Sequence, residues 1–308
     1  MSNPSWHQGP PRTILLASDL SSRCDRAMQR ALQLAKLWKS RLVILTVIEP
    51  DDSRQWGANW DLPRWRRPTD PARMAAAQFR RQFGDIVQEA DVRVLEGEPA
   101  DAIAQMTVEI DADLIVVGVA RDELFGRLRL GSTVDQLARQ SPAPLLIVKS
   151  RVWPYEEILV ATDFSEPSKQ ALIAADRFFP TAPLTVLHGW EAPFAAFLED
   201  SSFRSEWKAR EKQGCEDFLA RSNLSFPSRA RVKVLIENGC PEVLVRQYML
   251  DREVDLVVIG AHGRTGALHK RLGDTAKRIL EYAPGDVLLI REPQAERQER
   301  STAEALGD

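Results

Sequence analysis

The chain repeats itself once, and that limits what it can fold into more than any other feature. Ile14-Leu15-Leu16-Ala17-Ser18-Asp19-Leu20-Ser21 returns as Ile158-Leu159-Val160-Ala161-Thr162-Asp163-Phe164-Ser165. Asp111-Ala112-Asp113-Leu114-Ile115-Val116-Val117-Gly118 returns as Glu253-Val254-Asp255-Leu256-Val257-Val258-Ile259-Gly260. Gly97 with Gly239 and Gly131 with Gly273 keep the spacing of the second pair. Stacked repeat units are about 20–50 residues long, so a period this large means a duplicated domain. Two domains are expected, 12–150 and 156–291, joined by a linker at 151–155 that Pro154 punctuates. Residues 1–11 form a polar tail, and the charged, aperiodic stretch 292–308 reads as a disordered one.

Within each half, short runs rich in Val, Ile and Leu alternate with helical patterns. The runs predict strands at 13–18, 42–48, 91–96, 113–118 and 144–149, and again at 157–162, 184–190, 231–236, 255–260 and 286–291. Met28, Ala31, Leu32, Ala35 and Trp38 recur at the spacing of one helix face, with Ser21 or Ser22 as its cap. Ser165, followed by Pro167, caps the counterpart helix. This alternation predicts an α/β fold in each half, a parallel sheet with helices on both faces.

Sheets of that kind bind ligands beyond the carboxyl ends of their strands. There the second half carries Gly260-Ala261-His262-Gly263-Arg264-Thr265-Gly266, running through Gly273-Asp274-Thr275 into a helical stretch. Glycines let backbone N–H groups approach a phosphate, and a helix start adds donors and a positive dipole end. No Gly-Lys-Ser/Thr follows, so this is not a P-loop.

The chain resembles the universal stress protein family. The family's nucleotide-binding members carry Gly-x2-Gly-x9-Gly followed by Ser or Thr, matched here by Gly260, Gly263 and Gly273. Asp19/Ser21 and Asp163/Ser165 look like its opening Asp-x-Ser. The resemblance covers about 12–149 and 156–291. It implies two tandem Rossmann-like or flavodoxin-like domains, each a five-stranded parallel sheet of order 3-2-1-4-5. It further implies pairing through the last strands, Pro144–Lys149 and Asp286–Arg291, as an intramolecular pseudo-dimer, with a homo-dimer open beyond that. For function it implies a stress-response regulator that binds an adenine nucleotide, ATP with magnesium. Asp19 or Asp163 would face the adenine or ribose side, and Val47 the base, with Gly189 or His188 as Val47's counterpart. Each half departs from the pattern. The first keeps Gly118, Gly131 and Ser132 but has Arg121 for the second glycine. The second keeps three glycines but has Asp274 for the Ser or Thr, leaving Thr275 to substitute. The second half is therefore the favoured site. The alternative is a sensor of another ligand, or a protein-interaction module, that has lost ATP.

Composition narrows the rest. A net charge of −3 gives no strong field for nucleic acid or anionic lipid. Cys24, Cys215 and Cys240 form no C-x-x-C pair, which fits a reducing compartment. No run approaches the ~18 apolar residues of a membrane span, and Met1–Pro11 has no apolar signal core. A cytoplasmic protein is expected. Trp56, Trp60 and Trp65 lie among Arg54, Arg64, Arg66 and Arg67 in an insertion at 51–70. That pattern suits a cover over the domain's own helices, a ligand lid or an interface, and least of all a grip on nucleic acid by stacking and charge. Trp190, Phe194, Phe197, Phe203 and Trp207 form its apolar counterpart. No H-E-x-x-H, zinc-spaced Cys/His cluster or G-x-S-x-G elbow occurs. No catalytic or metal residue is assigned, and at most slow ATP hydrolysis is expected. Asp111, Asp113, Glu253 and Asp255 read as solvated turn residues.

Overall fold

The computed structural model describes residues 9–21, 24–48, 90–119, 130–191, 201–263 and 272–291, with isolated positions between 73 and 84; side chains of helix residues 201–206 are not included. The insertion 51–70, Arg121, Phe194, Phe197, the Phe203 side chain and the tail 292–308 lie outside the described residues.

All ten expected strands form, each within a residue or two of its predicted limits. In chain order the first half runs β1 (Thr13–Ala17), α1 (Asp25–Trp38), β2 (Arg41–Ile48), β3 (Asp91–Glu96), α2 (Pro99–Glu109), β4 (Leu114–Gly118), α3 (Ser132–Gln140) and β5 (Leu145–Val148). The second runs β6 (Ile158–Ala161), α4 (Glu166–Phe178), β7 (Leu184–Trp190), α5 (Ser201–Arg221), α6 (Phe226–Ala230), β8 (Val232–Asn238), α7 (Pro241–Asp251), β9 (Leu256–Gly260), α8 (Asp274–Tyr282) and β10 (Asp286–Ile290). The strands make one ten-stranded sheet in the order β3-β2-β1-β4-β5-β10-β9-β6-β7-β8. Each half is thus a parallel 3-2-1-4-5 sheet. Strand residues alternate between two buried cores. Ile14, Leu16, Ile158 and Val160 face α1 and α4, while Leu15, Leu159, Val257 and Val287 face the opposite layer.

The halves meet where β5 and β10 pair antiparallel, with Val287 opposite Ile147, Leu288 opposite Leu146 and Leu289 opposite Leu145. Leu146 and Leu288 are themselves repeat equivalents, so a pseudo-two-fold axis passes through that pair. The residue after each last strand then caps the other half's last helix. Lys149 Nζ donates to Leu280 O (2.5 Å) and Ala283 O (3.1 Å) at the end of α8. Arg291 Nη1 donates to Ala138 O (3.3 Å) near the end of α3. Cations are favoured at helix C-termini.

Burial pulls the Lys149 ammonium from 10.5 down to about 8. A base with a lowered folded-state pKa penalises folding below that value, and the penalty fades as pH rises to the unfolded value. Wild type should therefore gain stability between pH 8 and 10.5 relative to Lys149→Met. Urea titrations across that range check this, and parallel curves would contradict it.

A buried polar knot ties the linker to this joint. Arg30 and Asp286 have fully buried side chains and pair at 3.1 Å. Arg30 also donates to Trp153 O (2.6 Å) and Arg151 O (3.3 Å), and its guanidinium lies 4.0 Å from the Tyr155 ring centroid. Trp38 of α1 packs on Phe178 at the end of α4 and on its C-cap Phe179, with ring centroids 5.7 and 5.5 Å apart.

Two expectations fail here. Ser21 is not the N-cap of α1: Cys24 takes that position, without a side-chain cap bond, and Ser22 lies outside the described residues. Asp113 is not a solvated turn residue. It is 3% exposed and accepts from Arg12 N (2.7 Å) and Thr13 N (3.0 Å), tying down the start of β1. Burial pushes its carboxyl above the usual range. Ser165 does cap α4, accepting from Ser168 N.

Candidate functional site

Each half turns sharply after its first strand, in the same way. Ser18 Oγ accepts from Leu20 N (3.1 Å), and Thr162 Oγ1 from Phe164 N (2.9 Å). Leu20 (φ 61°) and Phe164 (φ 65°) take the left-handed conformation that bulky residues avoid. The aspartate between them faces back over the turn. Asp19 Oδ1 accepts from Ser21 N (2.9 Å), and Asp163 Oδ1 from Ser165 N (3.1 Å).

The halves differ in what else holds that carboxylate. Asp163 Oδ1 also accepts from Ser165 Oγ (2.5 Å) and Ser168 Oγ (2.7 Å). Asp19 Oδ1 has the Cys24 thiol, at 3.1 Å, where its counterpart has the Ser168 hydroxyl. A thiol is the weaker donor. Burial pushes Cys24 up to about 11, so it holds its proton and is not a nucleophile. Cys215 is likewise raised to about 11.

Beside the second turn lies a cavity of about 400 Å³. Asp163, Gly260, Gly263, Gly273 and Thr275 all line it. Two of the glycines answer to close contacts. A Cβ on Gly260 would lie 2.7 Å from Pro167 C and 2.8 Å from its O, so β9 and α4 touch there. A Cβ on Gly263 would lie 2.6 Å from Asp163 Oδ2, which places that carboxylate on the glycine loop. Gly273 is the N-cap of α8 at φ −64°. Asp274, Thr275 and Ala276 then present the first turn of that helix to the cavity. Asp274 and Asp163 make the wall acidic. His262 also lines it, with Nε2 3.4 Å from Arg291 Nη2.

Strand register settles the counterpart of Val47. Leu42 pairs with Ile14, and Leu184 with its equivalent Ile158, so Val47 corresponds to Gly189 and Thr46 to His188. Gly189 lines the cavity beside Pro241 and Val245. A Cβ there would meet Leu244 and Pro241 at 3.0 Å, so the missing side chain lets α7 close in. In the first half, Asp19 follows β1, Val47 lies in β2, Gly118 ends β4, and Gly131-Ser132 open α3. The topology thus sets Asp19, Gly118 and the start of α3 at strand carboxyl ends, as in the second half.

Sequence reasoning missed Ser168, Leu187, Pro241 and Val245, which also line the cavity. Ser168 had a visible signal, three residues after Ser165 and aligned with Cys24 across the repeat. Among the described residues, no group of three or more His, Cys, Asp or Glu is placed to hold a metal. No helix among them is long and apolar enough to cross a membrane.

Comparison with known proteins agrees with this architecture. The model of the universal stress protein family matches twice, at residues 11–149 and 154–291. A universal stress protein of Thermus aquaticus is 32% identical over 138 residues, 45% of this chain and 98% of that protein. One from Mycolicibacterium smegmatis is 23% identical over 293 residues, 90% of this chain and 96% of its own. Among solved structures, a universal stress protein from Archaeoglobus fulgidus superposes with a TM-score of 0.61 at 17% identity, covering 91% of this chain and 98% of its own.

Proposed function

This chain belongs to the universal stress protein family of stress-response proteins, as a member with two tandem copies, and from that premise we propose that its second copy binds an adenine nucleotide, ATP with magnesium. One observation carries the reading: the turn aspartate, three loop glycines and a helix start, far apart in sequence, converge on one cavity. Its volume of about 400 Å³ falls in the range typical of small-molecule sites. The fit to the nucleotide is specific in two respects. Backbone N–H groups of Thr275 and Ala276, in the first turn of α8, would receive phosphate oxygens. Asp274, in the first turn of α8, would repel bare phosphates, yet carboxylates beside phosphates are the usual setting of Mg²⁺. Asp163 would face the sugar or base, beside Gly189, where α7 closes in on the place that Val47 fills in the first copy. We read the first copy, with Arg121 in place of the second glycine, as the poorer site. The two copies, paired through β5 and β10, work as a pseudo-dimer, and the three free cysteines suit a reducing cytoplasm.

Calorimetric titration of nucleotide-stripped protein with ATP–Mg²⁺ tests this. About one equivalent should bind with a Kd in the micromolar range. Gly263→Arg should abolish binding, because even a Cβ at that position meets the Asp163 carboxylate. Absence of heat and of thermal shift at millimolar nucleotide would reject the reading. The acidic cavity would then belong to a different ligand or partner.

A further inference from the structure

The turn that presents Asp163 is held from behind by a histidine with no equivalent in the first copy. His188 is 5% exposed. Its Nδ1 lies 2.7 Å from Thr162 O, and its Nε2 lies 3.1 Å from Glu211 Oε2 on α5. Carbonyl and carboxylate oxygens can only accept, so both contacts are hydrogen bonds when the imidazole is protonated and both ring nitrogens donate. The imidazole stacks on Phe164 at 4.1 Å between centroids and 28° between planes. The same helix also packs on Phe164. Gly214 sits so close that an added Cβ would touch the ring at 3.4 Å, and Phe218 packs at 5.6 Å. Arg221 Nη2 completes the clamp by donating to Phe164 O (3.3 Å). Glu211, Gly214, Phe218 and Arg221 therefore form one stripe of α5 that grips the residue after Asp163.

The grip has work to do. Phe164 sits at φ 65°, a conformation that a bulky residue avoids and that persists only when its surroundings fix it. If it relaxes, the peptide after Asp163 rotates and the carboxylate leaves the cavity wall. In the first copy, Thr46 stands in the place of His188, and its hydroxyl is buried without a hydrogen-bond partner. Leu20 stands in the place of Phe164 and has no ring to stack.

We propose that His188, clamped by Glu211, is a positioning residue for Asp163. It pre-sets the ligand-facing turn of the second copy and so makes that copy the tighter of the two sites. The ligand side rests on the nucleotide reading above; the effect on the turn does not. The experiment therefore carries two readouts on the full chain. The first is amide hydrogen exchange at Phe164 and Ser165, with Leu20 and Ser21 as the reference inside the same molecule. The second is ATP–Mg²⁺ calorimetry.

His188→Phe keeps a ring in the stack but removes both hydrogen bonds. It should lower protection at Phe164 and Ser165 about tenfold, leave Leu20 and Ser21 unchanged, and weaken ATP–Mg²⁺ about tenfold. His188→Asn, whose amide can donate to Thr162 O from the place of Nδ1, should restore most of both. The proposal is overturned if His188→Phe leaves protection within twofold of wild type. It is equally overturned if the loss spreads to Leu20 and Ser21, or if His188→Asn is no better than His188→Phe. If wild type takes up no ATP–Mg²⁺, the nucleotide reading fails and the exchange data alone decide. If His188→Phe does not fold, Glu211→Ala decides: it removes only the outer partner and should give the same local loss at smaller amplitude. No local change in that variant would reject the clamp.

Discussion

Asp286→Ala should cost about 3–5 kcal/mol of unfolding free energy, a large share of what holds a protein of this kind together. The carboxylate is fully buried. It accepts from Arg30 Nε (3.1 Å), Tyr155 Oη (2.6 Å), Lys149 N (2.8 Å), Ser150 N (2.9 Å) and Ser150 Oγ (2.9 Å). Truncation strands the Arg30 guanidinium away from water without its paired carboxylate, leaving only neutral acceptors, Gln33 Oε1 and the carbonyls of Trp153 and Arg151. The expected loss is mostly the cost of that orphaned charge rather than the net worth of the pair. Tyr155 adds to it: burial and the neighbouring carboxylate push its phenol well above the usual value, so it stays a donor and loses its acceptor. Asp286→Asn, which keeps an acceptor, should lose less. Urea unfolding measures both, and a loss below 1 kcal/mol in the alanine variant would mean that water or a neighbour takes the place of the carboxylate.

Gly260→Ala should be the most damaging of the loop-glycine alanine substitutions. Its Cβ would lie 2.7 Å from a backbone carbon of Pro167, and backbone cannot swing aside as a side-chain tip can. Strand β9 and the first turn of α4 would have to separate, at about 1–3 kcal/mol. Ser168 and Asp163 border the same cavity, so a shift of α4 should also weaken ATP–Mg²⁺ by more than about tenfold. Gly273→Ala is the matched control. Its nearest neighbours would be 3.6 Å away, and its φ of −64° is ordinary, so stability should change by less than about 0.5 kcal/mol. Thermal unfolding and calorimetry on the pair decide it. Equal losses would mean that the loop, rather than the contact with Pro167, limits substitution.

These two sites also mark how far the sequence could be read. The strands were legible because their β-branched runs are short and buried on both faces, and because each occurs twice. The glycine loop was legible by spacing, but not its reasons: Gly260 answers to Pro167, which the chain reaches from another element. The Arg30–Asp286 pair spans two repeats and breaks their symmetry, since Asp286 aligns with Pro144. Nothing local distinguishes it from surface charge. Asp113 misled for the same reason, because its partners are backbone groups of β1 a hundred residues earlier. His188 was legible only by its place beside Gly189 in the strand 184–190, and its tie to Glu211 depends on where α5 crosses the sheet.

The self-complementary contact through Leu146 and Leu288 has a thermodynamic consequence. Two free copies meeting in this way would associate with a midpoint set by protein concentration, and each loss of affinity would release subunits. Here the linker makes the encounter unimolecular, so dilution cannot separate the copies. Melting temperature should then not depend on concentration through this contact. Mutations in one copy are tolerated without competition from unmutated partners. That is the condition under which one copy can keep its ligand while the other drifts toward a different task.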